Sequence, residues 1–215
     1  MKNNSMRDMF KLSFGEEVGN SVSHGVMAAL ILLFLPISTI YAYTNGGLAL
    51  GLSTGVYMIS IFLMFLGSCV YHSMEFGSSQ KYVLRILDHC FIYVAIAGTY
   101  TPILVYLVGG YMGYGLLALQ WFVTIVGIII TASSKNYHKK LSLTIYLVMG
   151  WIGVLIIPTL LRHEIMFFAL ILLGGVFYSI GVYFYVKKFP YAHFIWHIFI
   201  VLASIAHYVA IMFYL

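Results

Sequence analysis

The sequence predicts an all-α integral membrane protein that forms a bundle of seven transmembrane helices. Hydrophobic residues make up 62% of the chain and charged residues only 8%, whereas about 25% of the residues in a soluble domain are charged. A soluble fold of 215 residues cannot bury this much apolar surface, so we expect the chain in the cell membrane. Its net charge of +5 comes from basic residues scattered among short loops, which argues against nucleic acid as a partner.

Seven apolar runs have the length of about 20 residues that crosses the hydrocarbon core of a bilayer. The breaks between them are short and polar or rich in glycine. The predicted spans are residues 24–43, 48–71, 84–108, 112–133, 141–160, 165–186 and 192–214. No linker or repeat marks a second domain, so residues 24–215 are predicted to form one transmembrane domain. Residues 1–23 are predicted to be a short cytoplasmic segment without the apolar core of a signal peptide.

The lysines and arginines predict how the bundle is oriented. With alternating spans, ten of them fall on the same side of the membrane and only Arg162 falls on the other. The ten are Lys2, Arg7, Lys11, Lys81, Arg85, Lys135, Lys139, Lys140, Lys187 and Lys188. Because cytoplasmic loops carry the excess of lysine and arginine, the N-terminus is predicted to be cytoplasmic and the C-terminus to lie outside.

Ionisable side chains within membrane spans are costly and usually functional. His72 ends the second predicted span, and Asp88 lies about one turn into the third. His193 and His197 occupy the first two turns of the seventh. In the predicted topology these four residues share one depth near the cytoplasmic face, which indicates a common site.

The spacing of these residues predicts a metal centre. His193 and His197 are four residues apart and project from one helix face, as do Ser68 and His72. Three imidazoles from two helices, with a fourth position open, are typical of a catalytic zinc site. We therefore predict Zn²⁺ bound by His72, His193 and His197, although such a donor set also accepts other transition metals. Asp88 is predicted to hold or deprotonate the attacking water, and Ser68 to orient it or to stabilise an oxyanion.

The remaining histidines have less specific interpretations, because a histidine in a membrane helix most often forms a hydrogen bond between helices. His24 begins the first span and is a reserve ligand or a residue behind the ligands. His207 lies about 15 Å beyond the histidine pair along the helix, so it is predicted to be an interhelical hydrogen-bonding residue. His89 is predicted to pack, and His138 and His163 are predicted to lie in loops.

Motifs over most of the chain combine these residues in a specific order. A serine precedes a histidine by four residues, an aspartate follows one helix later, and an HxxxH pair opens the last helix. The segments are EEVGNSVSHG (16–25), SCVYH (68–72), RILDHCFIYVAIAGTYTP (85–102), MGW (149–151), GGVFYSIG (174–181) and PYAHFIWH (190–197), followed by His207. In these segments the chain resembles the progestin and adipoQ receptor family, and within it the bacterial haemolysin III-like branch.

The resemblance implies a seven-helix bundle with its N-terminus inside and zinc on the intracellular side. Adiponectin receptors and the similar alkaline ceramidases hold zinc with three histidines, which correspond here to His72, His193 and His197. Asp88 and Ser68 correspond to the neighbouring polar residues. The resemblance also implies hydrolysis of a lipid amide such as ceramide.

Three functions are therefore open. The leading one is a zinc-dependent hydrolase of a lipid amide or ester that reaches the site from the bilayer, with membrane lipids as partners. The first alternative is a non-enzymatic sensor or regulator of membrane homeostasis, in which zinc ties helices together. The second alternative is a pore-forming cytolysin, although few polar residues are spaced through the membrane depth to line a pore. The sequence does not specify an oligomeric state.

Overall fold

The computed structural model describes residues 11–133 and 139–215, and every regular element in these ranges is helical. Six helical stretches are long and apolar enough to cross a bilayer: Phe14–Ser73, Ser79–Val108, Gly110–Ser133, Lys140–His163, Ile165–Val186 and Ala192–Tyr214. We label the helices α1 (Phe14–Ser73), α2 (Ser79–Pro102), α3 (Gly110–Ser133), α4 (Lys139–Trp151), α5 (Ile157–His163), α6 (Ile165–Val186) and α7 (Ala192–Tyr214). Lys2, Arg7, Lys135 and His138, which entered the sequence analysis, lie outside the described residues.

Helix α1 folds back on itself. Gly47 has φ 73° and ψ −165°, a conformation that only glycine adopts without strain, and it separates an arm of residues 14–46 from an arm of residues 48–73. The Ser21 and Ser73 hydroxyl oxygens, 52 positions apart in the chain, are separated by 2.7 Å. In one straight helix they would be about 78 Å apart. The two arms are therefore antiparallel, and the predicted runs 24–43 and 48–71 fall on one arm each.

The first arm begins at Phe14, earlier than the predicted first span. The Ser13 side chain accepts a hydrogen bond from the Glu16 backbone N–H at 3.2 Å and caps the helix. Glu16 and Glu17 occupy the first turn, where negative charge interacts favourably with the helix dipole. Because α1 begins at Phe14, Glu17 belongs to the helix and lies at one end of the bundle.

Two of the prolines lie at irregular turns of the helices. Pro102 ends α2, and the chain continues as a π-helix over Ile103–Val108 before it turns at Gly109. Pro158 lies in the first turn of α5, which follows α4 through the 3₁₀ segment Ile152–Ile156. Such local departures from α geometry are common where proline removes a backbone donor from a helix.

The core places α7 between both arms of α1 and α2. Tyr57 and Phe65 from the second arm pack with Ala95 of α2 and with Trp196 and Ile200 of α7. Small residues allow this close approach. A Cβ added at Gly98 of α2 would lie 2.3 Å from the Ser60 side chain, and one added at Gly174 of α6 would lie 2.2 Å from the His207 ring. These contacts hold α2 against the second arm of α1 and α6 against α7.

The start of α1, the end of its second arm and the start of α7 meet at one end of the bundle. A Cβ added at Gly15 would lie 2.9 Å from the Tyr191 hydroxyl, and one added at Gly19 would lie 3.0 Å from the Phe194 ring. Lys81 at the start of α2 reaches the first turn of α1. At the other end, the His163 ring is 2.7 Å from the backbone oxygen of Tyr214. We call the first of these the basic end, because Lys11, Lys81 and Lys187 lie there.

The fold-back of α1 predicts a disulfide between engineered cysteines. In a Cys69→Ala background, Ser21→Cys with Ser73→Cys should oxidise readily, because the native hydroxyls are 2.7 Å apart and a disulfide needs an S–S distance of about 2.05 Å. The bond is detected by faster migration without reductant and by mass spectrometry of the cross-linked peptide. Each single-cysteine variant is the control. Failure of the double variant to form an intramolecular bond would contradict the antiparallel arrangement.

Candidate metal centre

The structure brings the three predicted ligands together at the basic end of the bundle. His72 closes the second arm of α1, and His193 and His197 lie one turn apart at the start of α7. One nitrogen atom from each ring can be chosen so that all three lie within 4.8 Å of one another. Among the described residues, this is the group of histidine, cysteine, aspartate or glutamate side chains that can hold a metal ion. The prediction that these three histidines lie close together is therefore confirmed.

The separation of the ring nitrogens suits a tetrahedral ion. The Nε2 atoms of His72 and His193 are 3.4 Å apart, longer than the usual 2.7–3.2 Å of a hydrogen bond to nitrogen or oxygen. Two imidazole nitrogens bound to the same tetrahedral zinc at about 2.05 Å are separated by about 3.3 Å. The pair is thus already spaced for a shared ion.

His197 supplies a second indication that a ligand belongs here. Its side chain is completely buried, and neither ring nitrogen makes a regular hydrogen bond, although the ring faces the backbone carbonyl of Asn20. A buried polar group without a partner is costly. A bound metal ion would satisfy one nitrogen, so the residues present fit the predicted zinc ion.

A carboxylate lies behind the first ligand. The Glu17 Oε2 atom is 2.6 Å from His72 Nδ1, and its Oε1 atom accepts a 2.7 Å hydrogen bond from Lys81 Nζ. The side-chain amide nitrogen of Asn20 lies 3.5 Å from the same His72 nitrogen. Glu17, Asn20 and His24 are spaced i, i+3 and i+7, so they share one face of the first arm. That spacing was the available signal for residues behind the ligands, but the sequence analysis gave Glu17 no role and used Lys81 only to predict the orientation.

Ser68 and Asp88 form a neighbouring buried pair. Ser68 precedes His72 by one turn of the second arm, and its hydroxyl lies close to the Asp88 carboxylate. Asp88 Oδ2 is also 3.8 Å from His89 Nδ1. Asp88 is not one of the three residues whose ligand atoms converge. The structure thus joins the two predicted catalytic residues to each other, and their catalytic role stays a prediction.

His24 packs against the third ligand. Its ring lies nearly parallel to that of His197, with centroids 3.9 Å apart and an interplanar angle of 26°. Its other neighbour is Phe65, whose ring meets it edge to face at 4.8 Å. His24 is buried and lies outside the converging group. His24 was predicted to be either a reserve ligand or a residue behind the ligands, and the geometry favours the second role.

The other histidines lie away from the group. His207 Nε2 is 3.1 Å from the Ile171 backbone oxygen, which confirms the predicted hydrogen bond between α7 and α6. His89 Nδ1 is 2.7 Å from the Arg85 backbone oxygen, and its Nε2 is 3.4 Å from the Tyr185 hydroxyl. His163 is the last residue of α5 rather than the predicted loop residue.

Two spaces border the site. A pocket of about 490 Å³ at the basic end is lined in part by Glu17, His72 and Lys81. A mainly apolar cavity of about 140 Å³ lies between α2, α4, α6 and α7. Tyr185 and Trp196 line this cavity and also contact the His193 ring, with centroids 5.8 and 4.8 Å away. The ligand group therefore lies between a pocket that contains the charged groups Glu17 and Lys81 and a mainly apolar cavity.

Comparison with known proteins agrees with the motifs. Residues 12–208 match the family model described as Haemolysin-III related. Hemolysin-3 of Bacillus cereus is 36% identical over 201 residues, which cover 93% of this chain and 91% of that protein. The Hemolysin-3 homolog of Bacillus subtilis (strain 168) is 35% identical over 201 residues, 93% of this chain and 94% of the relative. The human Monocyte to macrophage differentiation factor is 30% identical over 174 residues, 74% of this chain and 69% of its own length.

The position of His24 predicts how two substitutions differ. His24→Phe keeps a flat ring against His197 and should retain the metal, whereas His24→Ala leaves a cavity beside that ligand and should weaken metal binding. Zinc per chain, measured by mass spectrometry after dialysis against a weak chelator, distinguishes them. Equal and complete loss of zinc in both variants would contradict this arrangement and make His24 a ligand.

Proposed function

This chain belongs to the haemolysin-III-related family of multi-pass membrane proteins, and we propose that it is a zinc-dependent hydrolase of lipid amides or esters. The observation that carries the proposal is the convergence of His72, His193 and His197 beside the buried Ser68–Asp88 pair. Metal-binding histidines next to a buried carboxylate are the groups that metal-assisted hydrolysis requires. The site lies at the basic end of the bundle, which we assign to the cytoplasmic face.

Each residue has a defined part in this reaction. His72, His193 and His197 hold the zinc ion, which when bound polarises the substrate carbonyl and activates water. Asp88 accepts a proton from the attacking water and returns it to the leaving amine or alcohol, so that one water is consumed and a carboxylic acid is released. Ser68 holds Asp88 by its hydrogen bond and is placed to donate to the developing oxyanion.

The two compartments beside the ligands match a lipid substrate and water. The cavity next to Tyr185 and Trp196 is mainly apolar and measures about 140 Å³. An apolar cavity of about 150 Å³ takes up benzene-sized molecules, so this one suits part of an acyl chain. The pocket at Glu17 and His72 supplies water from the opposite side. A lipid amide such as ceramide, the substrate class that the family resemblance implies, presents both kinds of group.

We assign seven membrane crossings to the chain, one for each arm of α1 and one for each of the five other long stretches. An odd number places the termini on opposite sides. Lys11, Lys81 and Lys187 meet at one end, which supports a cytoplasmic N-terminus by the positive-inside rule. An enzyme reporter that is active only outside the cytoplasm, fused after Leu215, tests this orientation.

A non-enzymatic role is the second candidate, and the complete burial of His197 favours it. In that role the zinc ion ties the second arm of α1 to α7 and stabilises the bundle without turnover. The pocket that reaches His72 favours the hydrolase, because a purely structural ion needs no access for water. The relatives named Hemolysin-3 raise a third role in membrane damage, which predicts leakage from liposomes that contain the pure protein.

The proposed proton transfer predicts that Asp88→Asn keeps the metal and loses activity. The amide cannot accept the proton, so turnover of a long-chain lipid amide or ester in mixed micelles should fall by about 10²–10⁴-fold. Zinc per chain should be unchanged, because Asp88 is outside the ligand group.

Glu164→Gln removes an exposed carboxylate at the opposite end of the bundle and is the control, with unchanged turnover expected. Undiminished turnover by Asp88→Asn would end the proposed role of Asp88. No turnover by the zinc-loaded wild type on either substrate class would favour the structural ion instead.

A further inference from the structure

Glu17 bridges a histidine and a lysine that come from distant parts of the chain. Its Oε2 atom contacts His72 Nδ1 at 2.6 Å, and its Oε1 atom contacts Lys81 Nζ at 2.7 Å. The side chains of His72 and Lys81 are 1% and 2% exposed, and that of Glu17 is 17% exposed. All three therefore interact with little competition from water, where such contacts are stronger than on an open surface.

Lys81 is fixed before it reaches the carboxylate. Ser78 caps α2 by accepting a hydrogen bond from the Lys81 backbone N–H at 3.1 Å. The ammonium group also donates to the Met74 backbone oxygen at 3.0 Å and lies 5.0 Å from the centre of the Tyr71 ring. A buried lysine needs such partners. With them in place, Lys81 holds one oxygen of Glu17 and leaves the other directed at His72.

The bridge determines which nitrogen of His72 is protonated. An ionised carboxylate can only accept hydrogen bonds, so His72 Nδ1 must carry the proton and donate it to Glu17. In the neutral imidazole the other nitrogen, Nε2, then has a free lone pair. This is the nitrogen that faces His193 Nε2 at 3.4 Å. Carboxylates behind metal-binding histidines fix tautomer and ring orientation in this way.

We propose that Glu17, held by Lys81, is a positioning residue of the metal centre that locks His72 in its Nδ1-protonated tautomer. The inference rests on the proposed metal site, but it concerns a residue that neither binds the ion nor touches substrate. It also gives Lys81 a function beyond the positive-inside signal, because the lysine holds the Glu17 carboxylate in place.

Zinc affinity is the first test, measured on the detergent-purified full chain by competition with a chromogenic chelator. Loss of a carboxylate behind a ligand typically weakens metal binding by about 10–100-fold, and this is the expected effect of Glu17→Ala. Glu17→Gln should weaken it less, because its amide oxygen can still accept the His72 proton. Glu75→Gln removes an exposed carboxylate from the same pocket and should leave the affinity unchanged.

The second readout needs no metal. Nitrogen-15 NMR of histidine-labelled, zinc-free protein reports which ring nitrogen of His72 is protonated, with the signal assigned by its absence in His72→Ala. The wild type should show the Nδ1-protonated form, and Glu17→Ala should shift His72 toward the other tautomer. Glu17→Leu, which removes the acceptor but keeps a side chain of comparable volume, decides the case if Glu17→Ala does not fold.

These results separate the two proposals. If Glu17→Ala and wild type bind zinc equally tightly, the positioning role is wrong and the metal site stands. A wild type that binds no zinc but shows the Glu17-dependent tautomer contradicts the proposed hydrolase and leaves the hydrogen-bond part of this inference. An unchanged His72 tautomer in Glu17→Ala, or in Glu17→Leu if Glu17→Ala does not fold, would overturn the inference itself.

Discussion

The site depends on the cost of placing imidazole rings where water cannot solvate them. His72 and His197 are almost completely buried, and each of their nitrogens needs a partner from the protein or from an ion. Glu17 provides one partner for His72, and no regular hydrogen bond reaches either nitrogen of His197. A single metal ion can be bound by all three rings, because one nitrogen of each lies within 4.8 Å of the others. The Nε2 atoms of His72 and His193 are already 3.4 Å apart.

The arrangement of the helices brings these rings and the residues that contact them to the same end of the bundle. Because α1 turns at Gly47, its first turn returns to the depth of His72, and Glu17 can contact a residue 55 positions away. The close helix contacts at Gly98 and Gly174 hold α2 against the second arm of α1 and α6 against α7. The ligand group then lies between a pocket that contains Glu17 and Lys81 and a mainly apolar cavity, an arrangement that suits the proposed lipid hydrolase.

The sequence predicted the parts of this arrangement that depend on local pattern. The length and hydropathy of the apolar runs predicted helices that span a bilayer, and the i, i+4 spacing of His193 and His197 predicted a shared face. The convergence of His72 with that pair followed from their common predicted depth. Glu17 and Lys81 were missed because both lie outside the predicted spans and meet across 64 positions, a contact that no local pattern contains. The early start of α1 was missed because the cap at Ser13 is polar and gives no hydropathy signal.

The measurement that tests this account most directly is the metal content of the detergent-purified protein, determined by mass spectrometry. Wild type, His197→Ala and His207→Ala form the set, since His207 lies on the same helix but bonds to α6. Close to one zinc per chain in wild type and His207→Ala, with loss in His197→Ala, is the predicted result. No metal in any of the three after zinc loading would contradict the account, because the histidines would then form a hydrogen-bond network and the proposed hydrolase would have no metal centre.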